Sequence, residues 1–226
     1  MSGDKSLIFH LKMTGHLIVE SLKFKVKSGR WVGENLPEEL KDPKNQFIHL
    51  VLELSGNQIL AFSDMRKFGI IRLEDAGYLT DLDKRLGPEP LDSKFDLNQF
   101  KKALKGTNGK IKQVLMDQSR IAGIGNIYGD EILFLAGVKP DRRVKKLKKE
   151  EFKKIYNSIS IVLNRAIKYR GSSESDFRDT SGKKGDYQNH SYVYGRGGDI
   201  CKKCGGEIKK IKIGQRSAHY CVRCQK

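Results

Sequence analysis

Residues 117–128 read DQSRIAGIGNIY, and this stretch decides the fold of the region around it. A run of helical periodicity ends here and another begins, with a glycine turn between them. Gly123 and Gly125 allow the backbone to pass close to a partner. Asn126 falls at the predicted N-cap of the second helix, where free N–H groups and the helix dipole favour a phosphate. A helix–turn–helix used only for packing stays open, because a lone G-x-G does not decide between the two.

The charge of the chain indicates a polyanionic partner. Lys and Arg total 44 against 27 Asp and Glu, which gives a formal net charge of +17 and a pI near 9.7. Such an excess concerns partners rather than fold, and nucleic acid is the first candidate. A solubility-tuned surface or a ribosome-associated protein is the alternative. The sequence has no apolar run near the ~20 residues of a membrane span, and its first residues are polar, unlike a signal peptide. We therefore expect a soluble, intracellular protein.

The four cysteines stand close to the C-terminus, in two C-x2-C pairs separated by a gap of 16 residues: Cys201, Cys204, Cys221 and Cys224. Two such knuckles direct four thiolates at one tetrahedral point, which suits one structural Zn²⁺. Two disulfides are the alternative, and an intracellular location argues against them. An iron–sulfur cluster is a more distant alternative, since the ribbon spacing is more usual for zinc.

The gap between the cysteine pairs predicts a β-hairpin. Ile208, Ile211 and Ile213 stand among lysines, and Gly214 precedes a second short strand. A hairpin of this size cannot bury a core of its own, so metal binding is expected to supply its folding energy. The sequence therefore predicts a C-terminal zinc ribbon.

The rest of the sequence divides into a strand-rich part and a helical part. Apolar runs predict strands over 7–11, 16–20, 47–54, 59–62 and 68–73, with a hairpin turn at 55–58. The pattern changes near Ala76, and helical spacing predicts helices over 126–136 and 150–169. Residues 28–45 are expected to form a loop, and residues 171–190 a mobile loop or linker.

Further motifs stand in the order found in one known family. They are HLKMTG at 10–15, DMRKFG at 64–69, LGPEPL at 86–91, VYGR at 193–196, and RS with HYC at 216–217 and 219–221. Together with residues 117–128 they resemble the formamidopyrimidine-DNA glycosylase and endonuclease VIII family over essentially the whole chain. The resemblance implies an α+β fold. Its parts are an incomplete N-terminal β-sandwich domain (1–75), a helix–two-turns–helix DNA-binding domain (76–170), a lesion-capping loop (171–190) and a zinc finger (191–226).

The resemblance also implies roles for individual residues. Met13, Arg66 and Phe68 would fill the hole left by a flipped-out base, since inserted side chains offset the cost of unstacking. Arg66 would hydrogen-bond the widowed cytosine, a task that suits its fixed fork of donors. Asn126 and Arg216 would clamp phosphates, and Arg216 would serve the δ-elimination step. His10, Lys112 and Arg196 are the further DNA contacts implied.

Without the motif context, other roles would be favoured for these side chains. Phe68 would be a core strand residue, Met13 a gap filler and Arg66 a plain surface arginine. The sequence also departs from the family. Phe47 stands where many relatives carry a DNA-contacting histidine, and the lysine contact expected upstream of residue 117 falls near Thr107, with Lys110 and Lys112 as substitutes.

The start of the chain differs from the family pattern. The family's nucleophile is an N-terminal proline amine, assisted by an adjacent glutamate, whereas this chain opens MSGD. Residues 2–5 have hairpin-turn composition but precede only one strand, so we expect a chain that begins at an internal Met of a longer ancestor. We therefore expect this chain, as written, to fail in the first chemical step.

The function implied is base-excision repair of oxidised purines, 8-oxoguanine and formamidopyrimidine, by a bifunctional DNA glycosylase and AP lyase. Loop 171–190 favours purines because it covers a flipped purine in some relatives. The expected partner is double-stranded DNA with oxidised or abasic sites, bound by a monomer in the cytoplasm of a bacterial-type cell, at the nucleoid, with no membrane. A non-catalytic module for damaged DNA and a ribosome- or transcription-associated zinc ribbon protein are the alternatives.

Overall fold

The computed structural model describes residues 5–75, 77–173 and 176–226, without the side chains at 80, 82 and 83. These residues form two compact units. The strand unit comprises the described residues up to Tyr78 together with Tyr169–Gln188, and the helix–ribbon unit comprises Leu79–Lys168 with Asn189–Lys226. The mixed composition of strands and helices confirms the predicted α+β fold.

The strand unit contains two antiparallel sheets and a small hairpin. β1 (Lys5–His10) pairs with β7 (Ile70–Asp75), and β2 (Gly15–Ser21), β6 (Gln58–Asp64) and β5 (Ile48–Leu54) form a three-stranded sheet in that order. The β5–β6 hairpin confirms the turn predicted at 55–58, where Gly56 (φ 77°) and Asn57 (φ 56°) take the left-handed conformation that such turns need.

The region predicted as a loop over 28–45 is more regular than expected. It carries β4 (Arg30–Val32), which pairs with β3 (Lys25–Lys27) just before it, the short helix α1 (Glu38–Lys41) and most of a 3-10 turn (Pro43–Gln46). Trp31 and Leu40 bring these pieces onto a core that also contains Ile18, Phe24, Ile48, Ile59 and Ala61. The prediction of a loop was wrong because Gly, Pro and charge dominate the local composition, while three separated apolar residues, Trp31, Leu36 and Leu40, provide the tertiary contacts.

The segment predicted to be a mobile linker also has fixed contacts in its described part. The Arg178 guanidinium donates through Nε and Nη2 to Asp42 Oδ2, at 3.0 and 2.8 Å. Val19 N donates to Thr180 O at 2.8 Å, and Asn45 Nδ2 donates to Gly182 O at 2.9 Å. Residues 178–182 therefore belong to the strand unit, and the prediction of a linker was wrong for them.

The helix–ribbon unit contains the main helices and the C-terminal hairpin. Its helices are α3 (Leu97–Leu104), α4 (Ile111–Leu115), α5 (Asn126–Ala136) and α6 (Lys149–Lys168), with a 3-10 turn at Val144–Lys146. Two short helices, α2 (Gly77–Arg85) and α7 (Tyr187–His190), cross the unit boundaries, and β8 (Ile208–Ile213) pairs with β9 (Arg216–Cys221). In the part of the chain that the structure describes, every helix is too short or too polar to cross a bilayer.

The predicted apolar stripe of α6 is buried, as its helical spacing indicated. Ile155, Ile159, Val162, Leu163 and Ala166 all lie in the core of this unit. α5 ends at Gly137, whose φ of 73° is the left-handed conformation common after a helix. The C-terminal residue then bonds to this end of α5, because Lys226 N donates to Gly137 O at 3.0 Å.

Candidate DNA interface and zinc site

In the strand unit, two adjacent loops present large side chains to solvent. The loop after β1 carries Met13, which is 67% exposed, and the loop after β6 carries Phe68, which is 55% exposed. The loops are neighbours because Gly15 and Asp64 are paired in the β2–β6 register. Exposed apolar side chains on adjacent loops are typical of a surface that contacts a partner.

Asp64 joins the two loops. Its buried carboxylate accepts the Thr14 hydroxyl, the Gly69 amide at 2.7 Å and the Arg66 amide at 3.2 Å. Burial acts to raise the pKa of Asp64, but the bonds from Thr14, Gly69, Arg66 and Phe68 outweigh it and hold the pKa below its usual value. The carboxylate therefore remains ionised and fixes both loops from inside. The sequence motif contained Asp64, but sequence reasoning gave it no role.

Asp64→Asn is expected to lower the free energy of unfolding of the strand unit by about 2 kcal/mol at neutral pH, because charge-assisted bonds become neutral ones. Since the folded-state pKa is lowered, this stabilisation is complete above the ordinary value of 3.8 and is lost as the pH falls through the folded value. Denaturant unfolding at pH 7 and at pH 3 measures both effects. Asp75→Asn on exposed β7 is the matched control, and an equal loss in both variants would contradict this role.

The side chain of Arg66 lies on the same surface. Its guanidinium carbon lies 4.7 Å from the centre of the Phe68 ring, a cation–π contact that holds both side chains at the loop. His10 lies at the end of β1, and its Nδ1 accepts the Lys12 amide at 3.2 Å. The structure therefore brings together the predicted set His10, Met13, Arg66 and Phe68 within one unit.

In the helix–ribbon unit, the turn between α4 and α5 is braced by one glutamine. Gln118 Oε1 accepts the Gly123 amide at 2.8 Å, and Gln118 Nε2 donates to Ile124 O at 2.9 Å. Gly123 has φ 79°, and a Cβ at Gly123 or Gly125 would meet no atom within 4 Å. One side chain thus bonds to both ends of the turn, and its glycines face open space, as a backbone that approaches a partner requires.

Asn126 is the first residue of α5 rather than its N-cap. Gly125 takes the cap position in an extended conformation and offers no side chain, so the first amides of α5 have no side-chain cap. Asn126 Nδ2 donates to the Tyr194 hydroxyl at 3.3 Å, while its buried Oδ1 has no hydrogen-bond partner among the described residues. The predicted N-cap position of Asn126 was wrong by one residue, but the uncapped amides at this helix start favour an anion, as expected.

The four cysteines meet at one point, and all are free thiols. Their Sγ atoms lie within 4.8 Å of one another, with Cys201 and Cys224 at 3.9 Å and Cys204 and Cys221 at 3.4 Å. Tetrahedral zinc with Zn–S bonds near 2.3 Å needs S···S separations of about 3.8 Å, whereas a disulfide needs about 2.05 Å. The donor set therefore fits one structural Zn²⁺ and excludes the two-disulfide alternative.

The predicted DNA contact by Lys112 was wrong. Lys112 is 1% exposed, and its Nζ lies 2.7 Å from Asp130 Oδ1 and 2.6 Å from Ser217 O. Burial lowers the pKa of Lys112 and the Asp130 carboxylate opposes this shift, with Arg216 acting in the same direction as burial. An ammonium enclosed in this way cannot reach a phosphate without breaking an internal ion pair.

Arg196 makes several hydrogen bonds within the protein, whereas Arg216 is exposed to solvent. Arg196 donates to Tyr192 O and Ile200 O, both at 2.8 Å, and to the Asp199 carboxylate at 3.1 Å. It therefore stabilises the turn before the first knuckle, and its DNA contact stays a prediction. Arg216 begins β9 at the hairpin turn and is exposed, the position that a phosphate contact needs.

Taken by themselves, these sites define a class: a basic protein with an uncapped helix start after a glycine turn and a four-cysteine zinc ribbon, features typical of proteins that bind nucleic acid. Three domain models match the chain. They describe the formamidopyrimidine-DNA glycosylase N-terminal domain over residues 1–71, the formamidopyrimidine-DNA glycosylase H2TH domain over 86–178, and the zinc finger found in FPG and IleRS over 198–226.

Two curated relatives extend over the whole chain. The formamidopyrimidine-DNA glycosylase of Heliobacterium modesticaldum is 40% identical and aligns with 100% of this chain and 77% of its own length. That of Herpetosiphon aurantiacus is 37% identical, with 100% and 76% covered. The chain belongs to the formamidopyrimidine-DNA glycosylase family, whose members are DNA glycosylases with AP lyase activity.

Solved structures agree with this assignment. A complex of Lactococcus lactis Fpg with abasic-site DNA matches with a TM-score of 0.79 at 33% identity, over 99% of this chain and 76% of that one. A complex of the same protein with Fapy-dG DNA gives a TM-score of 0.79 at 33% identity, over 100% and 76%. The predicted family, fold class and structural zinc are thereby confirmed.

Proposed function

We propose that this protein acts in base-excision repair of oxidised purines, 8-oxoguanine and formamidopyrimidine, in double-stranded DNA. The observation that carries the proposal is the surface of Met13, Arg66 and Phe68, two exposed hydrophobic side chains and a guanidinium fixed on adjacent loops through Asp64. Similarity to Lactococcus lactis Fpg in complexes with abasic-site and Fapy-dG DNA supports this substrate class.

In this proposal, each group has a role that its position allows. Met13 and Phe68 enter the base stack where the damaged base has left, and Arg66 donates to the cytosine that remains. The uncapped amides at Asn126 and the guanidinium of Arg216 bind phosphates. In the family, an amine displaces the damaged base at C1′ to form a Schiff base, and elimination then cleaves the strand. Arg216 would assist that elimination step.

Strand cleavage of two matched duplexes tests the proposal. One duplex carries 8-oxoguanine opposite cytosine and the other 5-hydroxyuracil opposite guanine, each with and without borohydride. The proposal expects 8-oxoguanine to be preferred over 5-hydroxyuracil, both in binding and in any strand cleavage, and preference for the pyrimidine would overturn it. Selective binding of 8-oxoguanine DNA without an adduct would support the non-catalytic alternative. The sequence-based expectation that the first step fails stays a prediction that this measurement decides.

We also infer that the protein binds DNA as a monomer in the cytoplasm, at the nucleoid. The net charge of +17 favours association with DNA and opposes self-association. Sedimentation of the free protein and of its DNA complex measures both stoichiometries, and a stable dimer in either sample would contradict the inference.

A further inference from the structure

Two consecutive carboxylates in the middle of α5 connect this helix to the ribbon segments. Asp130 and Glu131 are both buried within an otherwise apolar helix. Asp130 Oδ2 accepts the His219 amide at 2.8 Å, and His219 Nδ1 lies 3.3 Å from the same oxygen. Glu131 accepts the amides of Tyr192, Val193 and Tyr194 at 2.9–3.1 Å. One helix thus holds β9 and the segment before the zinc site.

Lys112 on α4 completes this arrangement from the other side. Its ammonium bridges the Asp130 carboxylate and the Ser217 carbonyl, and Ser217 directly follows Arg216. α4 also lies close to the hairpin turn. A Cβ atom added to Gly214 in this turn would be only 2.8 Å from Gln113 Nε2 on α4. The buried Lys112–Asp130 ion pair therefore holds the backbone carbonyl of Ser217, next to Arg216.

The same contacts extend to the start of α5. The Tyr194 and His219 rings pack edge to face at 5.1 Å, and the Tyr194 hydroxyl accepts Asn126 Nδ2 at 3.3 Å. The backbone at Arg216 and Ser217 is thus linked to the side chain of Asn126 by a path of direct contacts. The path runs through Lys112, Asp130, His219 and Tyr194. Every member of this path lies in the helix–ribbon unit.

We propose that the Lys112–Asp130 ion pair is a positioning device that sets Arg216 relative to the Asn126 end of α5, so that both bind the DNA backbone together. This inference rests on the proposed function only in taking Arg216 and Asn126 as phosphate contacts. Buried ion pairs contribute little net stability, since desolvation offsets their attraction, but they restrict geometry because a misplaced partner leaves a buried charge unpaired. Lys112 is thus a positioning residue without a DNA contact of its own.

A double-mutant cycle on DNA binding tests the proposal. The variants are Lys112→Met, Arg216→Ala and their combination, and the probe is a duplex with a tetrahydrofuran abasic analogue. Lys112→Met is expected to raise Kd about 30-fold, within the range of coupled neighbours, while adding less than about 2-fold in the Arg216→Ala background. Lys102→Met on exposed α3 is the control for loss of charge. Additive effects of Lys112 and Arg216 would overturn the proposal.

Zinc content separates positioning from simple loss of the ribbon. Lys112→Met is expected to keep one zinc per chain, and excess zinc is expected not to restore its affinity; restoration by zinc would overturn the proposal. If Lys112→Met does not fold, Lys112→Met with Asp130→Asn removes both charges, and wild-type affinity in that variant would also overturn it. Failure of the wild type to bind the abasic duplex would count against the proposed function instead.

Discussion

Cys204→Ser is expected to abolish DNA binding while leaving the helical core folded. The hydrophobic cluster around the ribbon contains Phe134, Val193 and Ile208 with the cysteines themselves, so little apolar burial remains without the metal. Structural zinc supplies folding energy of order 10 kcal/mol in small zinc domains. Losing one of four thiolates should therefore unfold β8–β9 and release Arg216 from its fixed position.

Elemental analysis and Kd for abasic duplex measure this effect together. We expect less than about 0.1 zinc per chain in the variant and an affinity loss of at least about 100-fold. Lys203→Ser, an exposed neighbour on the same knuckle, is the control and should retain both zinc and binding. Circular dichroism should show that the helices persist. Tight binding by a zinc-free ribbon would contradict the role assigned to it.

Arg66→Ala and Arg216→Ala are expected to weaken binding in different ways. Arg66→Ala should reduce the preference for cytosine opposite the lesion by about 5- to 150-fold, the discrimination of one good arginine–base contact. Arg216→Ala should weaken binding to every duplex and reduce the slope of log K against log salt by about 0.9, because one phosphate contact is lost.

Titrations with each of the four bases opposite an abasic analogue, at several salt concentrations, separate the two effects. Arg72→Ala on β7 and Lys209→Ala on β8 remove the same charge from exposed positions in the respective units. Neither control should change base discrimination. Identical, uniform losses in Arg66→Ala and Arg216→Ala would refute the division of roles between base and phosphate.

The elements with a strong local signal could be predicted from the sequence. The turn at 55–58, the apolar stripe of α6 and the cysteine spacing each specify their structure within a short stretch. The motif residues of the strand unit were also found, because the motifs that contain them are six residues long and occur in the order found in the family. Their exposure in the structure agrees with this choice, although their contacts with DNA stay predictions.

The missed features depend on partners far apart in the sequence. Lys112 was predicted to contact DNA in place of a lysine of the family, yet it is buried, with its ammonium between Asp130 and Ser217 O. Segment 178–182 was predicted to be mobile, yet Asp42 and Asn45 anchor it from more than 100 positions away. One local signal was available for α5: the adjacent carboxylates Asp130 and Glu131 interrupt an apolar helix, which predicts buried partners.

The affinity of the protein for a duplex with one tetrahydrofuran abasic site, compared with the same duplex intact, tests the central claim most directly. In the proposed mode of binding, Met13, Arg66 and Phe68 enter the stack where a base is missing or flipped, which costs least at an abasic site. We predict at least about 100-fold tighter binding to the abasic duplex at physiological salt. Equal affinity for the two duplexes would contradict the account, since phosphate attraction alone would then explain the binding.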